Sequence, residues 1–344
     1  MKLGIMLDHN RPTCAPRVEV VKAAERLGYD SVWSAEIYGA DALSPLAFLA
    51  GQTQRITLAT GVIQLAARTP TNAAMTIATI DQLAGGGRTI LGIGVSGPQI
   101  VEGWYGQPWG SPLARLRDYV TIIRQTLNRE ESQHDGPEIA LPYRGPGSTG
   151  QGVPLKLILH PPKPIPIYLG VGGPKSVALM AELADGWLPL GLTPYNFDTY
   201  RPAVEEGLAR SPGKTLADLD IVGATSVNIT TDLEGAWTAR KPAVAFMVGG
   251  YGSATHNFHR DAMVRRGFGE AAEKIGDLFR ANKRDEAVAA VPNEYIDESG
   301  LYGDLDRIRA RWQDWMNGPH TTIRIMTDDI ETLEMMADWA GVAP

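Results

Sequence analysis

The sequence predicts an α/β fold, a closed (β/α)8 TIM barrel with insertions. Short apolar segments rich in β-forming residues alternate with longer segments of helical periodicity along the 344 residues, which is typical of β–α units and a parallel sheet. Eight such strands follow one another in the chain. An open doubly wound sheet is the alternative, but no Gly-x-Gly-x-x-Gly motif follows the first strand. We therefore expect the strands to close into a barrel.

The first half of the chain predicts four β–α units. Gly28 fits the end of the first helix, since glycine is typical of helix termini, and three glycines at 85–87 turn the chain into the fourth strand. The predicted elements are strand 2–8, helix 17–27, strand 31–35, helix 45–53, strand 56–63, helix 70–83, strand 89–94 and helix 113–127.

Two stretches after residue 127 interrupt the alternation and predict insertions into a single domain, residues 1–344. Residues 130–164 are rich in glycine and proline and indicate an excursion with a hairpin, and about 242–300 is mostly helical in pattern. The remaining elements are strand 167–171, helix 176–184, strand 186–190, helix 197–209, strand 220–229, helix 305–315, strand 321–326 and helix 330–340.

Composition and charge exclude several classes of protein. The net charge is −7 with both signs dispersed, whereas nucleic-acid binding needs clustered basic residues. No run of about 18 apolar residues and no secretion signal are found. Cys14 is the only cysteine, so no disulfide within the chain can form. We expect a cytoplasmic protein that binds neither nucleic acid nor membrane.

Metal binding is not expected either. His256 and His259 are three residues apart, a spacing that allows both side chains to reach one ion, but no further ligand lies nearby in the sequence.

Candidate catalytic residues follow the first two strands, because reactive groups in β/α barrels lie at the carboxyl ends of the strands. Glu36 ends a strand where an unpaired buried carboxylate is costly. It is either a general acid or base, or the salt-bridge partner of Arg68 or another cation. His9 either shuttles protons or is a hydrogen-bonded bystander.

A glycine-rich turn after the fifth strand predicts an anion site. Gly172 and Gly173 would let backbone approach a phosphate, and Pro174 suits the first helical turn, where amide groups are unpaired. Lys175 and Ser176 add a charge and a hydroxyl. The alternative is a tight turn with an ordinary helix cap.

A second glycine cluster, residues 92–98, would allow a flat ring to approach the backbone. The loop beyond it carries Trp104, Tyr105 and Trp109, which could cover an apolar cavity or anchor the loop to the core. Together with Tyr38, which follows the second strand, these aromatic residues are our candidate substrate contacts.

Several of these strand ends share their sequence with a known family. The segments are 2–8, Ser34-Ala35-Glu36, Ala59-Thr60-Gly61-Val62, 91–97 and Leu169-Gly170-Val171-Gly172-Gly173. In this order they resemble the luciferase-like monooxygenase superfamily. The segment from Ser96 to Gly106 is similar to the branch that uses coenzyme F420, a deazaflavin. The resemblance spans nearly the whole chain.

This resemblance implies a cofactor, a bulge and a quaternary structure. The cofactor would be F420, with FMN as the alternative, and a cis peptide at Gly61–Val62 would form a bulge behind its ring. The excursion at 130–164 would cover the barrel mouth, and the protein would be a homodimer. The expected cofactor-binding residues are Asp8, Thr60, Gly61, Val62, Ser96, Gly97, Gly172, Gly173, Pro174, Lys175 and Ser176.

The sequence also departs from one branch of the family. Deazaflavin-dependent sugar-phosphate dehydrogenases have a histidine where this chain has Ile37, and their acid after strand four falls near Gly97. We therefore expect a different small organic substrate, with Glu36, His9, Tyr38 or Glu102 as the proton-transferring group. The predicted function is hydride transfer between F420 and that substrate. The alternatives are an FMN-dependent monooxygenase and a non-catalytic flavin or deazaflavin carrier.

Overall fold

The computed structural model describes residues 1–8, 12–253 and 255–342. Its strands are β1 (Lys2–Met6), β2 (Ser31–Ser34), β3 (Thr57–Thr60), β4 (Ile63–Gln64), β5 (Thr89–Gly94), β6 (His134–Asp135), β7 (Ala140–Leu141), β8 (Ile167–Val171), β9 (Gly186–Pro189), β10 (Asp220–Ile229), β11 (Gly300–Gly303) and β12 (Thr322–Met326). Strands β1, β2, β3, β5, β8, β9, β10 and β12 pair in that order, all parallel, and β12 returns to β1. The predicted closed barrel is confirmed.

Helices surround this barrel. They are α1 (Val18–Arg26), α2 (Leu43–Ala50), α3 (Pro70–Leu83), α4 (Pro98–Val101), α5 (Pro112–Leu127), α6 (Pro174–Leu183), α7 (Arg201–Leu208), α8 (Leu233–Ala245), α9 (Phe258–Arg265), α10 (Gly269–Arg280), α11 (Arg284–Ala289), α12 (Asn293–Asp297), α13 (Leu305–Asn317) and α14 (Ile330–Ala340). Short 3-10 turns occupy Phe197–Thr199 and Leu216–Asp218, and a π-helical turn, Phe246–Gly250, follows α8. No described helix has the length and apolar character needed to span a membrane.

Local sequence signals explain why several helices begin where predicted. The Thr69 side chain accepts a hydrogen bond from the Asn72 amide and Pro70 takes the first helical position, so α3 starts at Pro70. At α14 the Asp329 carboxylate accepts from the Thr332 amide in the same way. These caps satisfy amide groups that have no partner inside the helix.

The barrel interior is filled with side chains below its mouth. A layer of inward-facing residues packs there, formed by Trp33, Ala59, Ile90, Tyr168, Leu188 and Val222. A packed interior leaves only the ends of a barrel for chemistry, and in this fold the chemistry lies at the carboxyl ends of the strands. The mouth at that end is therefore where the functional groups should be sought.

The sheet departs at two places from the strands predicted by sequence pattern. The predicted strand 56–63 is interrupted: β3 ends at Thr60, the Gly61–Val62 peptide is cis, as the resemblance implies, and β4 starts at Ile63. Strand β11 is additional and pairs in parallel with the carboxyl-terminal half of β10. Its sequence, Gly-Leu-Tyr-Gly, lacks the run of β-branched residues that marks a strand.

The excursion at 130–164 contains the expected hairpin but does not cover the mouth. Strands β6 and β7 pair antiparallel, and Asp118 of α5 accepts hydrogen bonds from His134 Nε2 at 2.9 Å, the Glu138 amide at 2.9 Å and the Ile139 amide at 3.0 Å. These bonds hold the hairpin against the outer helices. The expectation that it covers the mouth is wrong, since no described residue of the excursion lines the mouth cavity.

The second insertion lies over the mouth instead. Its helices α8 to α12 begin at Leu233, earlier than predicted, and have an apolar cluster of their own that includes Val248, Met263 and Ile275. This cluster fixes the π-helical turn against α9 and α10. Tyr251, His256 and α9 are thereby positioned above the strand ends.

Candidate active site at the barrel mouth

A cavity of about 290 Å³ opens at the carboxyl ends of β4, β5 and β8. The strand side of its wall is formed by Val62, Gln64, Gly94, Val95, Ser96, Gly97, Gln99, Gly170, Val171, Gly172, Gly173, Ser176 and Leu190. The insertion contributes Tyr251, His256, Phe258, His259, Asp261 and Arg265. The structure therefore brings together both glycine clusters and the strand-three bulge, which the sequence singled out separately.

The floor of the cavity is the bulge after β3. A Cβ atom at Gly94 would lie 2.5 Å from Val62 Cγ2, and one at Gly170 would lie 2.7 Å from Val62 Cγ1. Both glycines leave the space that the Val62 side chain occupies. Val62 consequently projects across β5 and β8 and presents an apolar surface to the cavity, of the kind against which a flat ring packs.

The turn before α6 forms a cradle for an anion. A Cβ atom at Gly173 would touch only Ser176 Oγ, at 3.5 Å, so the turn is open on this side. Arg265 comes over it from α9, with Nη2 3.3 Å from the Cβ position of Gly172. Its Nε is buried and has no hydrogen-bond partner among the described residues. A buried, unsatisfied guanidinium nitrogen beside an open glycine turn fits the phosphate of a cofactor.

Two residues assigned to this cradle from sequence lie elsewhere. Lys175 is exposed and lines a depression on the outer surface with Arg117 and Arg210, between α5 and α6. Pro174 starts α6 and is exposed as well, outside the cavity wall. The positive charge at the cradle comes from Arg265 instead. Sequence reasoning missed Arg265 because it lies 92 positions after Gly173 in an insertion whose packing no local pattern reveals.

The predicted aromatic substrate contacts lie on the loops after β2 and β5, outside the residues that line the cavity. Tyr38 and Trp104 lie 6.3 Å apart between ring centres and are 52% and 61% exposed. Trp109 meets His256 edge to face at 6.0 Å. The Tyr105 hydroxyl donates to the carbonyl oxygen of Ile37 at 3.4 Å, which links the loops after β2 and β5. We call Tyr38, Trp104, Tyr105 and Trp109 the aromatic rim.

The two histidines of the insertion, His256 and His259, belong to the cavity wall. His259 packs edge to face against Tyr251 at 5.4 Å, and burial lowers the pKa of His259 below its usual value. A lowered pKa keeps this imidazole neutral near pH 7. Among the residues that the structure describes, no group of three side chains could hold a metal ion.

Glu36 is buried, with 5% of its surface exposed, and four donors surround it. Oε1 accepts from Arg68 Nη1 at 2.6 Å and the Gln64 amide at 2.7 Å, and Oε2 accepts from Arg68 Nη2 at 3.0 Å and the Ala42 amide at 3.1 Å. This is the salt bridge with Arg68 that the sequence left open as one reading. Proton transfer by Glu36 stays a prediction.

The other predicted residues are placed as follows. Thr60 is buried, and its hydroxyl donates to the carbonyl oxygen of Gly92 at 2.9 Å while accepting from the Gly92 amide at 2.8 Å. It therefore joins β3 to β5. Asp8 follows β1 at the mouth end of the barrel. His9 lies outside the described residues.

Comparison with known proteins gives consistent findings. The profile of the family described as luciferase-like monooxygenase matches residues 1–321. The putative coenzyme F420-dependent oxidoreductase Rv3520c of Mycobacterium tuberculosis is 43% identical over 342 residues, which is 98% of each chain. The 5,10-methylenetetrahydromethanopterin reductase of Archaeoglobus fulgidus is 31% identical over 292 residues, 85% of this chain and 83% of the reductase.

A solved structure shows the same fold. The coenzyme F420-dependent tetrahydromethanopterin reductase from Methanopyrus kandleri superposes with a TM-score of 0.77 at 24% identity, covering 98% of this chain and 97% of the reductase. The two chains thus share this fold over nearly their whole length.

Proposed function

This chain belongs to the luciferase-like monooxygenase family and is an oxidoreductase, and we propose that it transfers a hydride between coenzyme F420 and a small organic substrate. The observation that carries the proposal is the cradle of Gly172, Gly173 and Arg265 beside the floor formed by Val62. The relatives at 43% and 31% identity, one named for F420, support the choice of cofactor.

Each part of the cavity has a role in this proposal. Amide groups at the start of α6, the Ser176 hydroxyl and Arg265 would hold the phosphate of F420, because a helix start and a guanidinium both favour an anion. Val62, Ser96 and Gly97 would border the ring. When bound, the deazaflavin supplies two-electron hydride chemistry, and the chain supplies position and a dry surrounding.

The aromatic rim would bind the substrate, and two side chains are candidates for the proton. Large apolar rings exclude water from a mouth of this size and favour an apolar or planar molecule. His259 faces the cavity in neutral form, whereas Glu36 would have to act despite its bonds to Arg68. Accessibility favours His259, a residue that the sequence did not single out as a proton carrier.

A second function is carried by the family description, which names monooxygenases. FMN would occupy the same cradle and ring site. A flavin has nitrogen where a deazaflavin has carbon at the position that reacts with oxygen, so FMN would give oxygen chemistry. The residues of the cavity described above fit either ring.

One experiment tests the choice. Purified protein is titrated with F420 and separately with FMN, with tryptophan fluorescence as the readout. Reduced F420 is then supplied with carbonyl and unsaturated compounds, and its reoxidation is followed with and without oxygen. We expect saturable binding of F420 and turnover that needs no oxygen. Tight binding of FMN with no response to F420 would overturn the proposal in favour of the monooxygenase.

We also propose that the protein is a homodimer, through an apolar face on the outside of the barrel. Met75 of α3 borders a groove of about 450 Å³ with Val153, Leu155 and Ile158 of the excursion. The last two are 71% and 86% exposed, and a contiguous apolar surface of this kind marks an interface. Light scattering should give twice the chain mass for the native protein and a monomer for Ile158→Asp. A native monomer at micromolar concentration would contradict this assignment.

A further inference from the structure

Arg324 is an inward-facing residue of β12 that reaches into the barrel. Its neighbours Ile323 and Ile325 point outward into the main core, and its guanidinium lies over the ring of Trp33, 5.4 Å from the ring centre. A Cβ atom at Gly61 would lie 3.0 Å from Arg324 Nη1. Arg324 thus extends to the Gly61–Val62 peptide and lies directly behind the floor of the cavity.

The charge of Arg324 is poorly compensated by the protein. Its guanidinium contacts Met6 Sδ at 3.8 Å and the carbonyl oxygen of Gly223 at 3.5 Å. Within the described ranges it forms no ion pair. Burial lowers the pKa of Arg324 to about 10, so the group still carries its charge at neutral pH.

Two other partly buried arginines, Arg68 and Arg266, are paired with carboxylates. Arg68 is held by Glu36, and Arg266 is held by Glu298 at 2.8 Å. Taking an unpaired charge out of water is costly, and structures that retain such a charge commonly use it on a ligand. Among the described residues, neither Arg265 nor Arg324 has a carboxylate partner at the mouth, and only Arg265 is explained by the phosphate cradle.

We propose that Arg324 offsets the negative charge that the ring of the cofactor gains when it takes up a hydride, an inference that rests on the function proposed above. A hydride brings one proton and two electrons, so a neutral ring that takes up a hydride acquires one negative charge. The substrate that donates the hydride loses a further proton to a base. A guanidinium behind the floor favours the charged ring over the neutral one. Arg324 would therefore make the bound cofactor easier to reduce.

The geometry also explains why Gly61 is glycine. Its Cβ position is bounded by Arg324 Nη1 and by Trp33 Cε3, each at 3.0 Å. Any side chain there would push the guanidinium away from the peptide. Gly61 and Arg324 thus act as one unit, in which the missing side chain allows the charge to come close to the floor.

The test compares the affinity for oxidised and reduced F420 under anaerobic conditions, measured by tryptophan fluorescence. Arg324→Met removes the charge and keeps the length, while Arg324→Lys keeps a charge and is the matched control. We expect Arg324→Met to weaken binding of the reduced form about 10- to 100-fold relative to the oxidised form, as expected for loss of a charged partner. Each tenfold change in this ratio lowers the potential of the bound two-electron couple by about 30 mV. Arg324→Lys should retain most of the preference.

The stability of the protein without cofactor supplies an independent readout. Since an unpaired charge is replaced by a thioether among apolar neighbours, Arg324→Met should melt at the native temperature or above it. An unchanged ratio of the affinities for reduced and oxidised F420 in Arg324→Met would overturn the inference. If, with that ratio unchanged, the KM of a substrate rises, Arg324 binds a substrate carboxylate and the inference is overturned as well. If Arg324→Met fails to fold, an unchanged ratio in Arg324→Gln overturns it equally. Native protein that binds neither form of F420 would remove the proposed function itself.

Discussion

The two ends of the barrel treat their polar groups differently. At the closed end, Asp81 accepts from the Gly87 amide at 2.9 Å, the Arg88 amide at 3.1 Å and the Thr89 hydroxyl at 2.9 Å. Asp220 accepts from the Tyr168 hydroxyl at 2.7 Å. Arg88 donates to carbonyl and hydroxyl oxygens of the loop before β3 and of α3's end. The charged side chains at this end are therefore hydrogen-bonded to backbone and hydroxyl groups.

At the mouth, by contrast, Arg265 and Arg324 have no carboxylate partner in the described parts of the chain. Glycines there leave space that neighbouring side chains or a ligand can use. In β/α barrels one end serves stability and the other carries the chemistry. This difference in how the polar groups are hydrogen-bonded identifies the mouth as the functional end without reference to any relative. Four predictions test the difference between the two ends.

The largest effect is expected at the open turn before α6. Gly173→Asp places a carboxylate in the phosphate cradle. The repulsion between this carboxylate and the phosphate beside it should cost several kcal/mol. We expect the affinity for F420 to fall about 100- to 1000-fold, measured by fluorescence titration, with an unchanged melting temperature. Gly173→Ala is the control, because its Cβ makes an ordinary contact with Ser176 Oγ at 3.5 Å. Equal affinities for the two variants would refute the cradle.

Glu36 lies near the mouth, yet both of its carboxylate oxygens accept hydrogen bonds from the protein. It therefore tests whether a residue near the mouth can serve stability. Glu36→Gln should destabilise the protein by about 3 kcal/mol in urea unfolding, because Arg68 loses its buried partner. If Glu36 also transfers a proton, turnover falls more than binding and the pH–rate profile loses a limb. Native stability in Glu36→Gln would show that the salt bridge contributes little.

His320 is an exception at the closed end. Among the described residues both ring nitrogens are buried without a hydrogen-bond partner, the ring stacks on Trp315, and burial lowers the pKa of His320 to about 4. The folded state therefore binds fewer protons than the unfolded state between pH 6.5 and 4, and stability falls as the pH falls through that range. The loss should reach about 3 kcal/mol near pH 4. His320→Phe should flatten the dependence, and a native-like slope in this variant would assign the loss to other groups.

The smallest effect is expected for Arg265→Met. Removal of one charged donor should weaken F420 binding about 10- to 30-fold, while the melting temperature of the protein without cofactor stays level or rises. Lys175→Met serves as the matched control, because Lys175 lies on the outer surface. Similar losses in both variants would place the phosphate outside the cavity.

Much of the barrel was predictable because its signals are local. Helix α3, strand β5, strand β8 and helix α14 have the predicted bounds, or nearly so, where caps and apolar periods agree. Strand β11 was not predicted because its glycine-rich sequence forms a strand only where β10 offers an edge. Arg265, and the place of His259 in the cavity wall, were not predicted because tertiary packing alone brings the insertion over the mouth. Alternation in the last strand, with Ile323 and Ile325 on one face, could have identified Arg324 as inward-facing.

A crystal structure of the protein with F420 tests the central claim most directly. The account predicts the phosphate within hydrogen-bond distance of the Gly173 turn and the Arg265 guanidinium, and the ring against Val62. A cofactor bound on the outer surface, or a cavity beside Tyr251 and His259 that stays empty at saturating F420, would contradict it.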